Sequence, residues 1–133
     1  MVNEINQITG EIIGAAIEVH RILGPGLLES VYQSCMETEL LSREVAFAAQ
    51  VPVTVTYKDH LVASDGFRLD LLVRDCVVVE LKSVEEVRDV HKKQLLTYLK
   101  LTRNQVGLLI NFNVSTLREG ITRVVNEYVA DAG

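Results

Sequence analysis

The sequence predicts a single α/β domain in which helices flank a central mixed β-sheet, with its elements in the order ααβββαββ. Three observations support this class. Apolar residues recur at helical spacing near the N-terminus, β-branched residues dominate the middle of the chain, and helical spacing returns before a last apolar run. A chain of 133 residues that is 48% apolar and 23% charged matches one globular domain over residues 1–133.

Two helices are predicted first. Over residues 5–23, the apolar residues recur at helical spacing: Ile5, Ile8, Ile12, Ala15, Val19 and Ile22. This run ends at Gly24-Pro25-Gly26, because proline cannot continue a helix and glycine tolerates unusual dihedral angles. A second apolar stripe predicts another helix over residues 28–43.

Three strands and a third helix are predicted next. Residues 50–57 are rich in β-branched side chains, which favours a strand, and Lys58-Asp59 is typical of a turn. Residues 67–73 and 77–82 are predicted to be two further strands, joined at Arg74-Asp75-Cys76. Helical spacing returns over residues 90–101, and we expect Asp89 to be the N-cap.

The remaining segments complete the sheet. Residues 106–112 are a short apolar run that predicts a buried strand. Residues 117–129 are ambiguous, and we expect a strand at 121–125 followed by a frayed or helical end. Because the third helix connects the strand at 77–82 to the strand at 106–112, these two strands are predicted to be parallel.

Composition and charge exclude several classes of protein. No segment approaches the ~18 apolar residues of a membrane helix, and the first ten residues, MVNEINQITG, are too polar and acidic for a targeting signal. We therefore expect a cytoplasmic protein without a membrane partner. With 18 acidic against 13 basic residues the net charge is −5, so a nucleic-acid partner would require a local basic patch or a metal ion.

Charged residues interrupt two of the predicted strands. Asp70 lies in the strand at 67–73, and Glu80 and Lys82 share one face of the strand at 77–82. Charges inside an apolar strand are costly when they are buried without partners. If the connecting loop has three residues, Asp70 falls opposite Glu80, whereas a two-residue loop would place the carboxylates on opposite faces.

Two facing carboxylates favour a divalent cation between them, because they otherwise repel each other. Mg²⁺ or Mn²⁺ suits such an oxygen-rich and incompletely closed ligand set. Lys82 would then orient or deprotonate an attacking water and offset the charge of a phosphate. The alternative is a surface ion pair, since a pattern of Asp followed by Glu-x-Lys is short and common by chance.

Two helices contribute further candidates. Gln94 and Tyr98 are four residues apart on the third helix and therefore project from one face. Glu29 and Tyr32 are three apart on the second helix and also share a face. The alternative roles are helix capping for Glu29 and core packing for the two tyrosines.

The third helix also carries a histidine and a basic face. His91 lies one turn before Gln94, and the basic residues of the helix are Lys92, Lys93, Lys100 and Arg103, with Arg68 expected nearby. These side chains are of the type that contacts the phosphates of a nucleic acid. The alternatives are a structural histidine and a solvated surface.

The segment Gly26-Leu27-Leu28-Glu29-Ser30-Val31-Tyr32 resembles the signature of the GxxExxY proteins, small bacterial members of the PD-(D/E)xK nuclease-like superfamily. The resemblance extends over residues 16–125. It also includes Glu18-Val19-His20, Gly66-Phe67-Arg68 with Asp70, Val79-Glu80-Leu81-Lys82, Val90-His91, Gln94-Leu95-Leu96, Tyr98-Leu99-Lys100 and Gly107-Leu108-Leu109-Ile110-Asn111-Phe112. It implies a restriction-endonuclease-like fold.

The resemblance also implies roles for the charged residues. Asp70 matches the motif aspartate, and Glu80 and Lys82 match the E-x-K of the motif. Glu29 would match the acid that a preceding helix supplies. The proline that precedes the motif aspartate is Leu69 here, a departure shared by many members that removes no ligand.

The activity implied is hydrolysis of phosphodiester bonds with Mg²⁺ or Mn²⁺. The resemblance does not define the substrate, and our own expectation is DNA, with RNA as the second choice. Asp70 and Glu80 are the expected metal ligands, Glu29 is an additional or water-mediated one, and Lys82 positions the nucleophilic water. Gln94 steadies that water or the substrate, and with Tyr98 it resembles the Q-x-x-x-Y element of RecB-like members. The expected substrate contacts are Tyr98, His91, Lys92, Arg68 and Tyr32.

Two other functions stay open on the sequence. A non-catalytic adaptor that keeps the fold is favoured by the net charge of −5 and by the small size of the chain. A structural domain whose carboxylates are chance surface residues would place Asp70 and Glu80 far apart. A homodimer is a further option, because a domain of this size grips little of a duplex alone and twofold pairs are common.

Overall fold

The computed structural model describes residues 2–127. Three α-helices and one five-stranded sheet occupy this part of the chain. Their bounds are α1 Val2–Leu23, α2 Glu29–Ser42, β1 Phe47–Tyr57, β2 His60–Val73, β3 Val77–Lys82, α3 Asp89–Thr102, β4 Val106–Asn111 and β5 Ile121–Val125, with a short 3₁₀ helix at Leu117–Gly120. The predicted α/β class and the order ααβββαββ are confirmed; the end expected beyond residue 127 lies outside the described residues.

The sheet is mixed, and its strands lie in sequence order from β1 to β5. β3 and β4 are parallel, while the other neighbouring pairs are antiparallel. α3 makes the connection between the two parallel strands, as the sequence predicts. The centre of the sheet therefore comprises β2, β3 and β4.

Helices cover both faces of this centre. One core cluster joins α1 and α2 to the odd-numbered positions of β3, such as Val77 and Val79. A second cluster joins α3 to the other face, where Leu95 and Leu99 pack with Val78. Consequently β4 is buried at every position, which is typical of a strand with both faces covered. Within residues 2–127, no helix combines the length and apolar character needed to cross a membrane.

The hairpin of β1 and β2 is longer than the sequence predicts. Lys58 and Asp59 form its two-residue turn, pairing Tyr57 with His60, and both turn residues have positive φ angles of 50° and 66°. The outer part of β2 is mostly exposed, so it carries no pattern of burial that would identify a strand. A smaller correction concerns α3, whose N-cap is Arg88 rather than Asp89.

The β1–β2 ribbon changes its packing partner at one point along its length. Ala49 and Leu71 are paired and pack on the α1–α2 side of the sheet. The next pair, Val51 and Leu69, packs on the α3 side. Residues two apart in a regular strand share a face, so the ribbon crosses from one layer to the other between these pairs. Gln50, which lies there, has a φ angle of 51°.

Candidate functional site

The ladder between β2 and β3 stops beside Asp70. Pairing runs outward from a three-residue loop through Val73–Val77 to Leu71–Val79, and the same register places Asp70 opposite Glu80. Side chains then replace the main-chain partners: Glu80 Oε2 accepts the Asp70 N–H at 2.9 Å, and Asp70 Oδ2 accepts the Leu81 N–H at 2.7 Å. The structure thus brings the two carboxylates together where the strands separate.

Helix α2 supplies a further contact to Asp70. Gln33 Nε2 donates to the main-chain oxygen of Asp70 at 2.9 Å and to Glu37 Oε2 at 2.9 Å. Both main-chain polar groups of Asp70 are therefore bound by side chains. Sequence reasoning missed Gln33, although its position four residues after Glu29 places it on the same helix face.

The carboxyl pair is electrostatically strained. Glu80 is only 8% exposed, and burial, followed by repulsion from Asp70, raises the pKa of Glu80 to about 8. Burial also raises the pKa of Asp70, against the stabilising bond from the Leu81 N–H. The positive charge of Lys82 lowers the pKa of both acids, which places its amine near them. Such a pair binds a proton or a cation readily.

Glu29 lies beside this pair without joining it. Its Oε2 accepts the main-chain N–H of Ser83 at 3.2 Å, while the Ser83 hydroxyl donates to the Leu27 oxygen at 2.6 Å. The Glu29 charge also contributes to raising the pKa of Asp70. Across residues 2–127, no group of three or more His, Cys, Asp or Glu side chains is arranged to hold a metal ion. The structure therefore does not present Glu29 as a third clustered carboxylate.

Helix α3 approaches the pair from the opposite face of the sheet. Burial, then the charges of Glu80 and Asp70, raise the pKa of Tyr98, and a hydrogen bond with Gln94 opposes this effect. The Tyr98 ring lies 5.1 Å from that of Phe67, centroid to centroid. Tyr98 and Gln94 thus share one helix face, as their spacing predicts, and they lie near the carboxylates.

A cleft of about 390 Å³ opens next to Asp70 on the side of α2. It is lined by Glu29, Ser30, Gln33, Ser34, Gln50, Asp70 and Leu81. Gln50 belongs to this cleft because β1 pairs with β2 at the level of Asp70. The sequence alone gave no signal for it, since a glutamine at the start of a predicted strand is unremarkable.

Two expected substrate contacts lie apart from this cleft. His91 Nδ1 accepts the Arg88 N–H at 3.0 Å, which places its ring at the beginning of α3. Lys92 lines a separate hollow with Glu85, Glu86 and Glu119. Arg68 is exposed, and its Nη1 lies 3.5 Å from the Gln50 oxygen, near the cleft.

Tyr32 requires a correction. We expected a substrate contact, but this side chain is 0% exposed and stacks on Phe112 with ring centroids 4.3 Å apart. Its hydroxyl donates to the Gly24 oxygen at 2.6 Å and accepts the Leu27 N–H at 3.2 Å. Tyr32 therefore holds the turn between α1 and α2, which places Glu29 at the site.

Comparison with known proteins agrees with this geometry. A family model described as the PD-(D/E)XK nuclease superfamily matches residues 6–124, a span that includes Asp70, Glu80 and Lys82. The mixed sheet with helices on both faces is consistent with a restriction-endonuclease-like fold. No curated protein sequence matches the chain.

Proposed function

The chain belongs to the PD-(D/E)XK nuclease superfamily, and we propose that it hydrolyses phosphodiester bonds of nucleic acid with the aid of a divalent cation. The observation that supports this most directly is the meeting of Asp70 and Glu80 where β2 leaves β3. The finer assignment to the GxxExxY proteins rests on the motif at residues 26–32.

The chemistry of the carboxyl pair fits Mg²⁺ or Mn²⁺. Both groups offer oxygen donors, and their mutual repulsion would be relieved by a cation between them. In this proposal Asp70 and Glu80 hold the ion, and Glu29 assists through a water. When bound, the ion polarises a phosphoryl oxygen and makes a bound water more acidic.

The remaining side chains position the reactants. Lys82 shares the α3 face of β3 with Glu80, so its ammonium can donate to the attacking water or to a phosphate oxygen. Gln94 is bound to Tyr98 beside the carboxylates, and its carboxamide steadies the water or the substrate. Arg68, close to the cleft, would contact the nucleic-acid backbone. DNA is the proposed substrate, with RNA the second choice.

Cleavage assays with the Asp70→Ala variant test this proposal. Wild-type protein should cut DNA in Mg²⁺ or Mn²⁺ but not in EDTA, and Asp70→Ala should abolish cutting while the fold persists by circular dichroism. Glu86→Ala, which changes an exposed acid outside the site, is the matched control and should cut normally. Full activity of Asp70→Ala would overturn the proposal.

The net charge of −5 favours a second function, a non-catalytic adaptor. Calorimetric titration with Mn²⁺ separates the two possibilities. Absence of binding at millimolar metal would favour the adaptor. Tight binding without cleavage of DNA or RNA would indicate a metal-containing scaffold.

A further inference from the structure

We propose that the cleft beside Asp70 binds the nucleoside adjacent to the scissile phosphate, with Gln50 as a specificity-determining residue. This inference rests on the proposed phosphodiester hydrolysis. Its starting point is the lining of the cleft, where the described residues supply carboxylates, carboxamides and hydroxyls but no Lys, Arg or His. Apart from Glu29 and Asp70, the polar side chains of this lining are neutral, and their carboxamides and hydroxyls can form hydrogen bonds with a base or sugar.

The size of the cleft agrees with such an occupant. Its volume of about 390 Å³ lies in the range of small-molecule sites. Asp70 contributes to the cleft, and its main-chain N–H donates to Glu80, so the cleft adjoins the proposed reacting centre. A nucleoside bound there would therefore be the immediate neighbour of the phosphate that is cleaved.

Of the two glutamines that line the cleft, Gln50 is the one whose carboxamide is available to recognise a base. The Nε2 of Gln33 is already bound to the Asp70 and Glu37 oxygens. No hydrogen bond from the described residues engages the Gln50 carboxamide, and the side chain is exposed beside the cleft. A carboxamide offers one donor and one acceptor side by side, which is the pattern that matches the edge of a base.

The backbone of Gln50 supports the same conclusion. Its φ angle of 51° lies in the left-handed region, which costs free energy for any residue with a Cβ atom. Glycine would adopt this conformation without strain, so the geometry gives no reason for a glutamine. The other described non-glycine residues with positive φ, such as Glu44 and Lys58, lie in turns, whereas Gln50 lies within β1. Strain that persists inside a regular element is a feature of functional sites.

Variants that separate backbone from side chain test the inference. Gln50→Gly keeps the conformation and removes the carboxamide, Gln50→Asn keeps a shorter carboxamide, and Glu44→Gly relieves a similar φ angle of 59° outside the cleft. Thermal unfolding, the binding of fluorescent oligonucleotides in Ca²⁺, and the base frequencies at mapped cut sites in Mg²⁺ would be measured for each.

We expect Gln50→Gly to unfold at or above the wild-type temperature, yet to lose about tenfold in kcat/KM and to flatten the base frequencies at cut sites. Gln50→Asn should retain part of the preference, and Glu44→Gly should behave as wild type. If Gln50→Gly cuts with wild-type base frequencies and wild-type kcat/KM, the proposed nucleoside subsite is wrong, and the proposed hydrolysis is unaffected. If wild-type protein neither binds nor cuts any nucleic acid, both proposals fall.

Discussion

Glu80 lies between Val79 and Leu81 in β3 and is nearly as buried as these two apolar residues. In the unfolded chain this group has an ordinary pKa near 4.5, whereas in the folded protein the pKa is raised to about 8. Between these two values the folded state holds a proton that the unfolded state has released. The free energy of unfolding must therefore fall as pH rises across this window.

For the metal-free protein we expect a loss of the order of 1–3 kcal/mol in the free energy of unfolding between pH 5 and pH 8. Glu80→Gln removes the titrating group and should flatten most of this dependence. Urea unfolding in EDTA at pH 5, 6.5 and 8 would measure both slopes. Equal slopes for the two proteins would contradict the assignment of the effect to Glu80.

Tyr32 shows how one buried hydroxyl holds a connection. Because it bonds both the Gly24 oxygen and the Leu27 N–H, Tyr32→Phe should lower the free energy of unfolding by about 1–2 kcal/mol. Stacking on Phe112 is kept, so the fold should survive. Urea unfolding gives the loss, and an unchanged KM for oligonucleotide would separate this structural role from substrate contact; a raised KM at full stability would contradict it.

At the scale of the elements, the sequence predicted best what the core determines. The predicted bounds of β3 agree with the structure to the residue, because a largely apolar run bounded by turns indicates a buried strand. The bounds of β5 also agree, although its segment was ambiguous in the sequence and the strand is only partly buried. The sequence left two loop lengths open after Val73, and the three-residue loop of the structure is the one that brings Asp70 opposite Glu80. The outer half of β2 was missed, since a segment exposed on most sides has no periodic pattern.

The parts of the site that escaped prediction depend on tertiary structure. Gln33 reaches Asp70 only because α2 packs on the end of the sheet. Gln50 enters the cleft because the ribbon crosses between layers. That crossing involves a left-handed φ angle, which a glutamine in the sequence does not indicate. Local spacing indicates that Gln33 shares a helix face with Glu29, but it indicates neither the contact of Gln33 with Asp70 nor the position of Gln50.

The segment between β3 and α3 is attached to β4 by one buried amide. Asn111 Oδ1 accepts the N–H groups of Val84 and Asn113 at 3.1 and 3.2 Å, and its Nδ2 donates to the Val84 oxygen at 3.0 Å. Val84 follows Lys82 by two residues, so this attachment also restrains the main chain that carries Lys82.

We therefore expect Asn111→Ala to lower the free energy of unfolding by about 2–3 kcal/mol, because the N–H groups of Val84 and Asn113 lose the acceptor that Asn111 Oδ1 provides. Cleavage should fall as well, measured at a temperature where the variant is folded. Asn113→Ala is the milder control, since the Asn113 side chain makes a single bond to Val84 at 3.3 Å. A loss as small as that of the control would contradict the role given to Asn111.

At the scale of the whole molecule, the site draws on both layers of helices. α2 contributes Gln33 and Glu29 from one face of the sheet, and α3 contributes Tyr98 and Gln94 from the other. The carboxyl pair lies between them, and the folded chain holds its like charges together. A cation that binds only this arrangement must stabilise the whole fold.

Thermal unfolding in the presence of Mn²⁺ measures this linkage. At a concentration one hundred times its dissociation constant, a ligand of the folded state adds about 2.7 kcal/mol to the free energy of unfolding. The midpoint of the wild type should rise with Mn²⁺, while that of Asp70→Asn should not. A rise of the same size in both proteins would indicate metal binding elsewhere.

The crossing of the β1–β2 ribbon separates two regions of the sheet that differ in local stability. Beyond Val53 most residues up to 66 are exposed, with Tyr57, Leu61 and Val62 at 64%, 62% and 58%. A two-stranded hairpin is only marginally stable by itself. We therefore expect the amide hydrogens of the outer hairpin to exchange with deuterium through local opening, whereas those of β3 and β4 should exchange only on global unfolding. The outer hairpin is thus expected to open and close locally while the carboxyl pair between β2 and β3 stays folded.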